Sequence, residues 1–461
     1  MLFAPPRRCR HALTRAPAQG GDVSVVVRRG LEYAPRFVLN AAITELGARG
    51  KWQSALQLLS WMERREAEAG PECPEAPNEH SFVAFLGGCR CGASLKHARR
   101  VWAKLAPQRG ELPGARLCAA MLGALGRAGE AQEAAALFSS MSWDGVPRSL
   151  HAYNAALTAA ARAGAWREAV DMFREFESDN VEPDAYSLAL AVTACMRGGA
   201  PHVGLSLALS PLGASVRLDA AAAGAVVAAA GASGRLDAAY AALKRLDAQG
   251  TPRNTWLYNA LLAGQASVGA MGPAAATLHE MRTTPGCEPD ARSYTSLMEA
   301  ARAAKSLPAV RAALAQLHSA GLRPTSVTLT VLLTALGDAG EWAEALAAVS
   351  AWPKQHGVRV SAKAYSAALR ACAKAGRPRE ALALFREMQA TDVLPTVGAF
   401  AVLLPALERA GLVAETEELR TLRASLAALG VLPESLERDE PTPLLLRLPR
   451  SVLGEAPEDD E

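Results

Sequence analysis

Ser149-Leu-His-Ala-Tyr-Asn-Ala-Ala-Leu-Thr-Ala-Ala-Ala-Arg-Ala-Gly164 is followed, one residue on, by Trp166-Arg-Glu-Ala-Val-Asp-Met-Phe-Arg-Glu-Phe176 and then by Asn180-Val-Glu-Pro-Asp184. Apolar residues in the first stretch recur at helical spacing and a glycine closes it, which predicts a helix ending at Gly164. The second stretch predicts an amphipathic helix, and Pro183 disfavours helix at the residue before it. Two helices of this size cannot bury a core alone. Copies stacked side by side can.

Copies are present on both sides. Glycines fall at Gly129, Gly164, Gly199, Gly234 and Gly269, each 35 residues apart, and the series continues at Gly340, Gly376 and Gly411, with Lys305 filling one slot. Five residues after them stand Ala134, Ala169, Gly204, Ala239, Ala274, Val310, Ala345 and Ala381. Upstream, Tyr153, Tyr258, Tyr294, Tyr365 and Phe400 share another slot. A fixed period of this length is the signature of a repeat array. Cys89, Cys195 and Cys372 share a slot on the first helix and read as core, and Trp52, Trp166 and Trp342 share one just after the glycine and read as structural.

Half of the 461 residues are hydrophobic and only 5% aromatic, a balance that suits close-packed helices. The eight cysteines are scattered, and Cys89-Arg-Cys91 has no histidine at zinc-ligand spacing, so neither a disulfide scaffold nor a metal site is expected. No stretch approaches the roughly 20 apolar residues of a membrane span. Residues 1–30 carry six arginines against Asp22, for +5, and the last 31 carry −6, leaving +4 between them out of a total of +3. An Arg-rich, acid-poor start predicts an organelle transit segment over 1–35. The acidic, proline-containing end predicts a disordered tail over 431–461.

The pattern Tyr-Asn-Ala-x-Leu/Ile, x-Ala-Gly-x-x-x-Glu-Ala, Phe-x-x-Met/Phe and Pro-Asp over 35 residues resembles the pentatricopeptide repeat family. Tetratricopeptide repeats have a period of 34 and place their proline elsewhere. Eleven repeats are read: 36–78, 79–114, 115–149, 150–184, 185–219, 220–254, 255–290, 291–325, 326–361, 362–396 and 397 to about 430. The resemblance implies an all-α, right-handed α-solenoid of helix-turn-helix repeats, an array without an added catalytic domain.

The resemblance further implies that single-stranded RNA lies on the first-helix face, amino end to 5′ end, one nucleotide per repeat. The base-reading residues it implies are the one after the Tyr slot and the last of the repeat. These pairs are Asn40 with Asn78, Asn154 with Asp184, Ala189 with Asp219, Gly224 with Asn254, Asn259 with Asp290, Thr295 with Thr325, Thr330 with Ser361 and Ser366 with Thr396. The family's code would read Asn with Asp as uridine, Asn with Asn as a pyrimidine and Gly with Asn as adenine. Val83 with Gly114 and Ala119 with Ser149 depart from that pattern. Two residues before the Tyr slot, where the family sandwiches the base, stand Phe37, His151, Tyr186, Trp256, Arg292 and Val327. Two residues before the glycine slot, Arg127, Arg162, Arg197, Lys374 and Arg409 recur, either as phosphate contacts or as cations complementing a helix dipole.

An editing deaminase needs His-x-Glu followed by Pro-Cys-x-x-Cys, and neither occurs. No catalytic residue, cofactor or metal is expected. The function implied is sequence-selective RNA binding in organellar RNA processing, stability or translation, in a mitochondrion or chloroplast. Single-stranded RNA and RNA-processing factors are the expected partners of a monomer without membrane contact. The alternative is a protein-interaction scaffold of the tetratricopeptide type.

Overall fold

The computed structural model describes residues 36–70, 73–89, 92–105, 112–391 and 393–428. The expected transit segment and acidic tail lie outside them, as does Cys91. Every regular element among the described residues is a helix. These residues fall into two compact units, 36–217 and 218–428.

In the first unit the helices pair as α1 (Arg36–Ala48) with α2 (Trp52–Ala69), α3 (Glu79–Gly88) with α4 (Gly92–Leu105), α5 (Ala115–Ala128) with α6 (Ala131–Trp143) and α7 (Leu150–Ala163) with α8 (Trp166–Ser178). Then α9 (Ala185–Arg197) pairs with α10 (Pro201–Leu209), trailed by the short α11 (Pro211–Ser215). First helices stack on first helices, α1 on α3, α3 on α5, α5 on α7 and α7 on α9.

In the second unit α12 (Ala220–Ala232) pairs with α13 (Leu236–Ala248), α14 (Thr255–Val268) with α15 (Met271–Thr283) and α16 (Ala291–Ala303) with α17 (Leu307–Ser319). There follow α18 (Ser326–Ala339) with α19 (Trp342–His356), α20 (Ala362–Lys374) with α21 (Pro378–Ala390) and α22 (Val397–Arg409) with α23 (Val413–Ala428). First helices again stack in sequence. Each unit is thus an α-solenoid. From α3 onward, each first helix begins at the first residue of its repeat as read from the sequence.

The glycine slot explains the regular endings. Gly129, Gly164, Gly269 and Gly340 adopt left-handed backbone as helix C-caps, a conformation that a Cβ disfavours. Lys305 takes the same conformation, at φ +56°, without the glycine. A second set of glycines serves close approach. Where α12 crosses α14, a Cβ on Gly231 would lie 2.4 Å from the Gly264 Cα. Cys195 and Cys372 are buried, as the repeat pattern predicts, and burial pushes both thiols up to about 11.

One repeat departs from the pattern. In 185–219 the second helix is split at Ser210-Pro211, because Pro211 disfavours helix at the preceding residue. Ser210 restarts the chain by accepting a hydrogen bond from the Gly213 N–H at 3.2 Å.

Candidate nucleic-acid interface

The last residue of each repeat proves to be the N-cap of the next first helix. Asp184 stands in extended backbone before α9, and its carboxylate accepts from the Ser187 N–H at 2.7 Å. Asn78, Asp219, Asn254, Asp290, Thr325, Ser361 and Thr396 cap α3, α12, α14, α16, α18, α20 and α22 in the same way. A short polar side chain is what an N-cap requires, because it satisfies an amide that the helix leaves open. This position therefore has a structural duty whatever else it does.

The cap meets the other implied reading residue across the repeat junction. Asn154 donates through Nδ2 to the Asp184 carboxylate at 3.4 Å, and its Oδ1 lies 2.6 Å from the Ser187 hydroxyl. Asn259 repeats the arrangement with Asp290 at 3.2 Å and Ser293 at 2.7 Å, and Asn40 with Asn78 at 3.2 Å and Ser81 at 2.6 Å. Each hydroxyl also lies near its own cap, Ser187 Oγ at 2.8 Å from Asp184 Oδ1. With one proton it can donate to only one of the two oxygens at a time. Ser81, Ser187 and Ser293 are part of the site that the sequence reading missed. Their signal was available: in these three repeats an Asn after the Tyr slot is followed, three residues beyond the cap, by Ser.

The remaining pairs are simpler. Thr330 Oγ1 lies 3.3 Å from Ser361 Oγ, and Ser366 Oγ 2.8 Å from Thr396 Oγ1. Thr295 Oγ1 lies 2.9 Å from Thr328, the residue capped by Thr325, rather than from Thr325 itself. Ala189 is buried and offers Asp219 no polar partner. Gly224 has no side chain to set against Asn254, whose amide oxygen accepts from the Leu257 N–H at 2.9 Å.

The stacking positions differ in exposure. Phe37 is 67% exposed, and His151, Tyr186, Arg292 and Val327 are also open to solvent. Phe37 and His80 line an open cavity of about 850 Å³, together with Asn40 and Asn78. An aromatic ring, an imidazole and two amides are the groups that a planar heterocycle can stack on and hydrogen-bond to. Trp256 is half-buried, its indole lying over Gly224.

The recurring cations point back along the array. Arg127 donates to the Cys89 and Leu86 carbonyls at 2.9 Å, and Arg162 to the Arg127 carbonyl. Arg197 donates to the Ala161 carbonyl at 3.3 Å and Lys374 to that of Asp338 at 2.8 Å. Arg409 reaches only the Pro405 carbonyl of its own helix, at 3.0 Å. Four of the five thus satisfy carbonyls at the end of the preceding first helix, where a cation complements the negative pole. The dipole complemented belongs to the neighbouring repeat, which the sequence alone did not reveal.

Among the described residues no three His, Cys, Asp or Glu side chains are grouped to hold a metal, and no helix is long and apolar enough to cross a membrane.

Known proteins resemble both the sequence and the fold. A family model described as pentatricopeptide repeat-containing protein matches residues 220–352, and the PPR repeat model matches 118–146, 151–181 and 363–392. No curated protein matches the chain. The crystal structure of the pentatricopeptide repeat protein PPR10 in complex with an 18-nucleotide psaJ RNA element matches with a TM-score of 0.58 at 19% identity, over 91% of this chain and 64% of that one. A triple cysteine-to-serine variant of PPR10 with the same RNA element matches equally, at 0.58, 19%, 91% and 64%. This chain thus spans less than two thirds of the length of those proteins, and at 19% identity the likeness is one of fold. With the repeat profiles falling in both units and the helices on the expected period, the chain belongs to the pentatricopeptide repeat family.

Proposed function

We propose that the chain is a non-catalytic, sequence-selective binder of single-stranded RNA that acts in organellar RNA processing, stability or translation. The observation that carries this reading is the recurring side-chain trio of Asn, N-cap and Ser at 154/184/187 and 259/290/293. A side-chain amide has two N–H groups, and donation to the cap leaves one to offer a base. PPR10, whose solved complex holds RNA, supports the ligand class. The basic segment 1–35 supports an organelle, mitochondrion or chloroplast, and RNA-processing factors are the partners that such a binder would serve.

Selection from randomised RNA tests it. Repeats 150–184 and 255–290 should enrich uridines three nucleotides apart, with affinity falling steeply as salt rises. Exchanging Asn154→Thr together with Asp184→Asn keeps a capping residue, since Asn caps at 78 and 254. That exchange should move the first uridine to adenine by roughly tenfold and leave the second in place. The same base enriched by both proteins would sink the reading at these positions. No RNA affinity at any salt would sink it altogether and leave the peptide scaffold.

A further inference from the structure

The slot of repeat 220–254 is unlike its neighbours. Its first helix, α12, is built from Ala, Gly and Val alone, with Gly224 at the reading position and, one turn before it, Ala221 at the stacking position. Neither has bulk, so Gly224 leaves open the space that a side chain fills at Asn154 or Asn259 in other repeats. The ring of Trp256, in the first turn of α14, lies in that space. A Cβ placed on Gly224 would fall 1.6 Å from Cζ3 of the indole, 2.2 Å from Cη2 and 2.4 Å from Cε3. The benzo edge therefore occupies the volume that a reading side chain would take.

Two further observations set this ring apart. Phe37, His151, Tyr186, Arg292 and Val327 hold the equivalent slot and are exposed, whereas Trp256 is half-buried. Its indole Nε1 is buried without a hydrogen-bond partner, so no polar contact draws it there. Filling an apolar gap is the remaining attraction, and the largest flat side chain fills it best.

We infer that Trp256 closes the recognition slot of repeat 220–254, so that the array passes one nucleotide there without choosing its base. The inference rests on the RNA-binding reading and modifies it. Gly224 with Asn254, which the family's code would read as adenine, reads nothing while the indole is in place. The indole fills the volume beside Gly224 through which a base edge would have to reach the reading position. Removing the indole restores the slot.

Selection from randomised RNA with full-length protein tests this beside the Trp256→Val variant. Valine stands in the same slot at Val327 without interrupting α18, and Trp256→Ala serves if the first variant loses its helical melt. Wild type should enrich U-N-N-U across repeats 150–184 to 255–290, with less than about a twofold preference at the third position. The variant should enrich U-N-A-U, with roughly a tenfold preference there, the scale of one base-edge contact. Adenine already enriched by wild type, or a third position still flat in both variants, overturns the inference while the flanking uridines uphold RNA reading. Loss of the uridines as well overturns both.

Discussion

Repeats 150–184 and 220–254 have the same two-helix backbone and fill it in opposite ways. The first packs a ring and a set of charges. Tyr153 is fully buried, stacked at 3.9 Å on Phe176 and edge-on at 4.7 Å to Phe138, and its hydroxyl donates to Asp179 at 2.6 Å. Arg148 lies 4.6 Å over the Phe138 ring, forks onto the same carboxylate at 2.6 and 2.7 Å and pairs with Glu175. The second has Ala223 in the Tyr slot and no comparable group. Its helix is held by proximity, Gly231 lying against Gly264 with no side chain between. Directional bonds and close approach are alternative ways to fix one interhelical spacing, and the chain uses both.

That contrast is broken most severely at Asp179. Asp179→Ala strips a guanidinium whose side chain is only 5% exposed of its bidentate partner, leaving Glu175 alone. Removing one member of a buried pair costs about 3 kcal/mol. Hydrogen exchange of the α7 and α8 amides reads the loss locally, as suits an array that opens in parts. Burial alone would raise the Asp179 pKa, but hydrogen bonds from Arg148 and Tyr153 hold it below the usual carboxylate value. The carboxylate thus stays charged in the folded chain at a pH where the unfolded chain has taken up a proton. Its stabilisation is present above about pH 4 and fades as pH falls through the lower folded value, so wild type and variant should converge in acid.

The second break is at the glycine contact. Gly231→Ala places a methyl against backbone that has nowhere to move, and overpacking of this kind costs about 2 kcal/mol. The same substitution in an open helix would gain up to about 1 kcal/mol, so the sign of the change in urea midpoint is diagnostic. A gain would mean that α12 and α14 are not held by approach.

The smallest effect sharpens the pattern that the two repeats share. Both end the first helix with a left-handed glycine, Gly164 at φ +71° and Gly234 at +69°, and Lys305 holds that place in repeat 291–325. Lys305→Gly relieves a Cβ strain of about 1 kcal/mol and should raise the melting temperature slightly. No rise would show that the lysine gains a compensating contact there.

What could be read in advance follows the same divide. Helix starts, the glycine stops and the buried Tyr slot are written in residue type at a fixed interval, so Lys305 was visible as a replacement. The duties of the reading positions were not. Asp184 looks like the end of one repeat because the period is counted from the Tyr, yet its carboxylate serves the helix that follows. Ser187 and Ser293 stand in a buried slot that other repeats fill with Ala152 or Leu257, so a search for apolar periodicity registers them only as gaps. Arg127 and Arg162 are legible as cations near a helix end, but which helix they cap depends on stacking. Trp256 over Gly224 joins residues 32 apart in different repeats, and only the lack of bulk at Ala221 and Gly224 hinted that something must lie there.

The placement of Asn154 in one repeat and of Asp184 and Ser187 at the head of the next helix has a consequence for exchange of parts. A 35-residue cassette moved as a block carries its own Asn but borrows the serine that orients it from whatever is spliced downstream. Its own serine in turn serves the cassette upstream. A transplanted cassette therefore alters the spelling of its upstream neighbour as well as its own, so letters in this array are inherited as overlapping pairs.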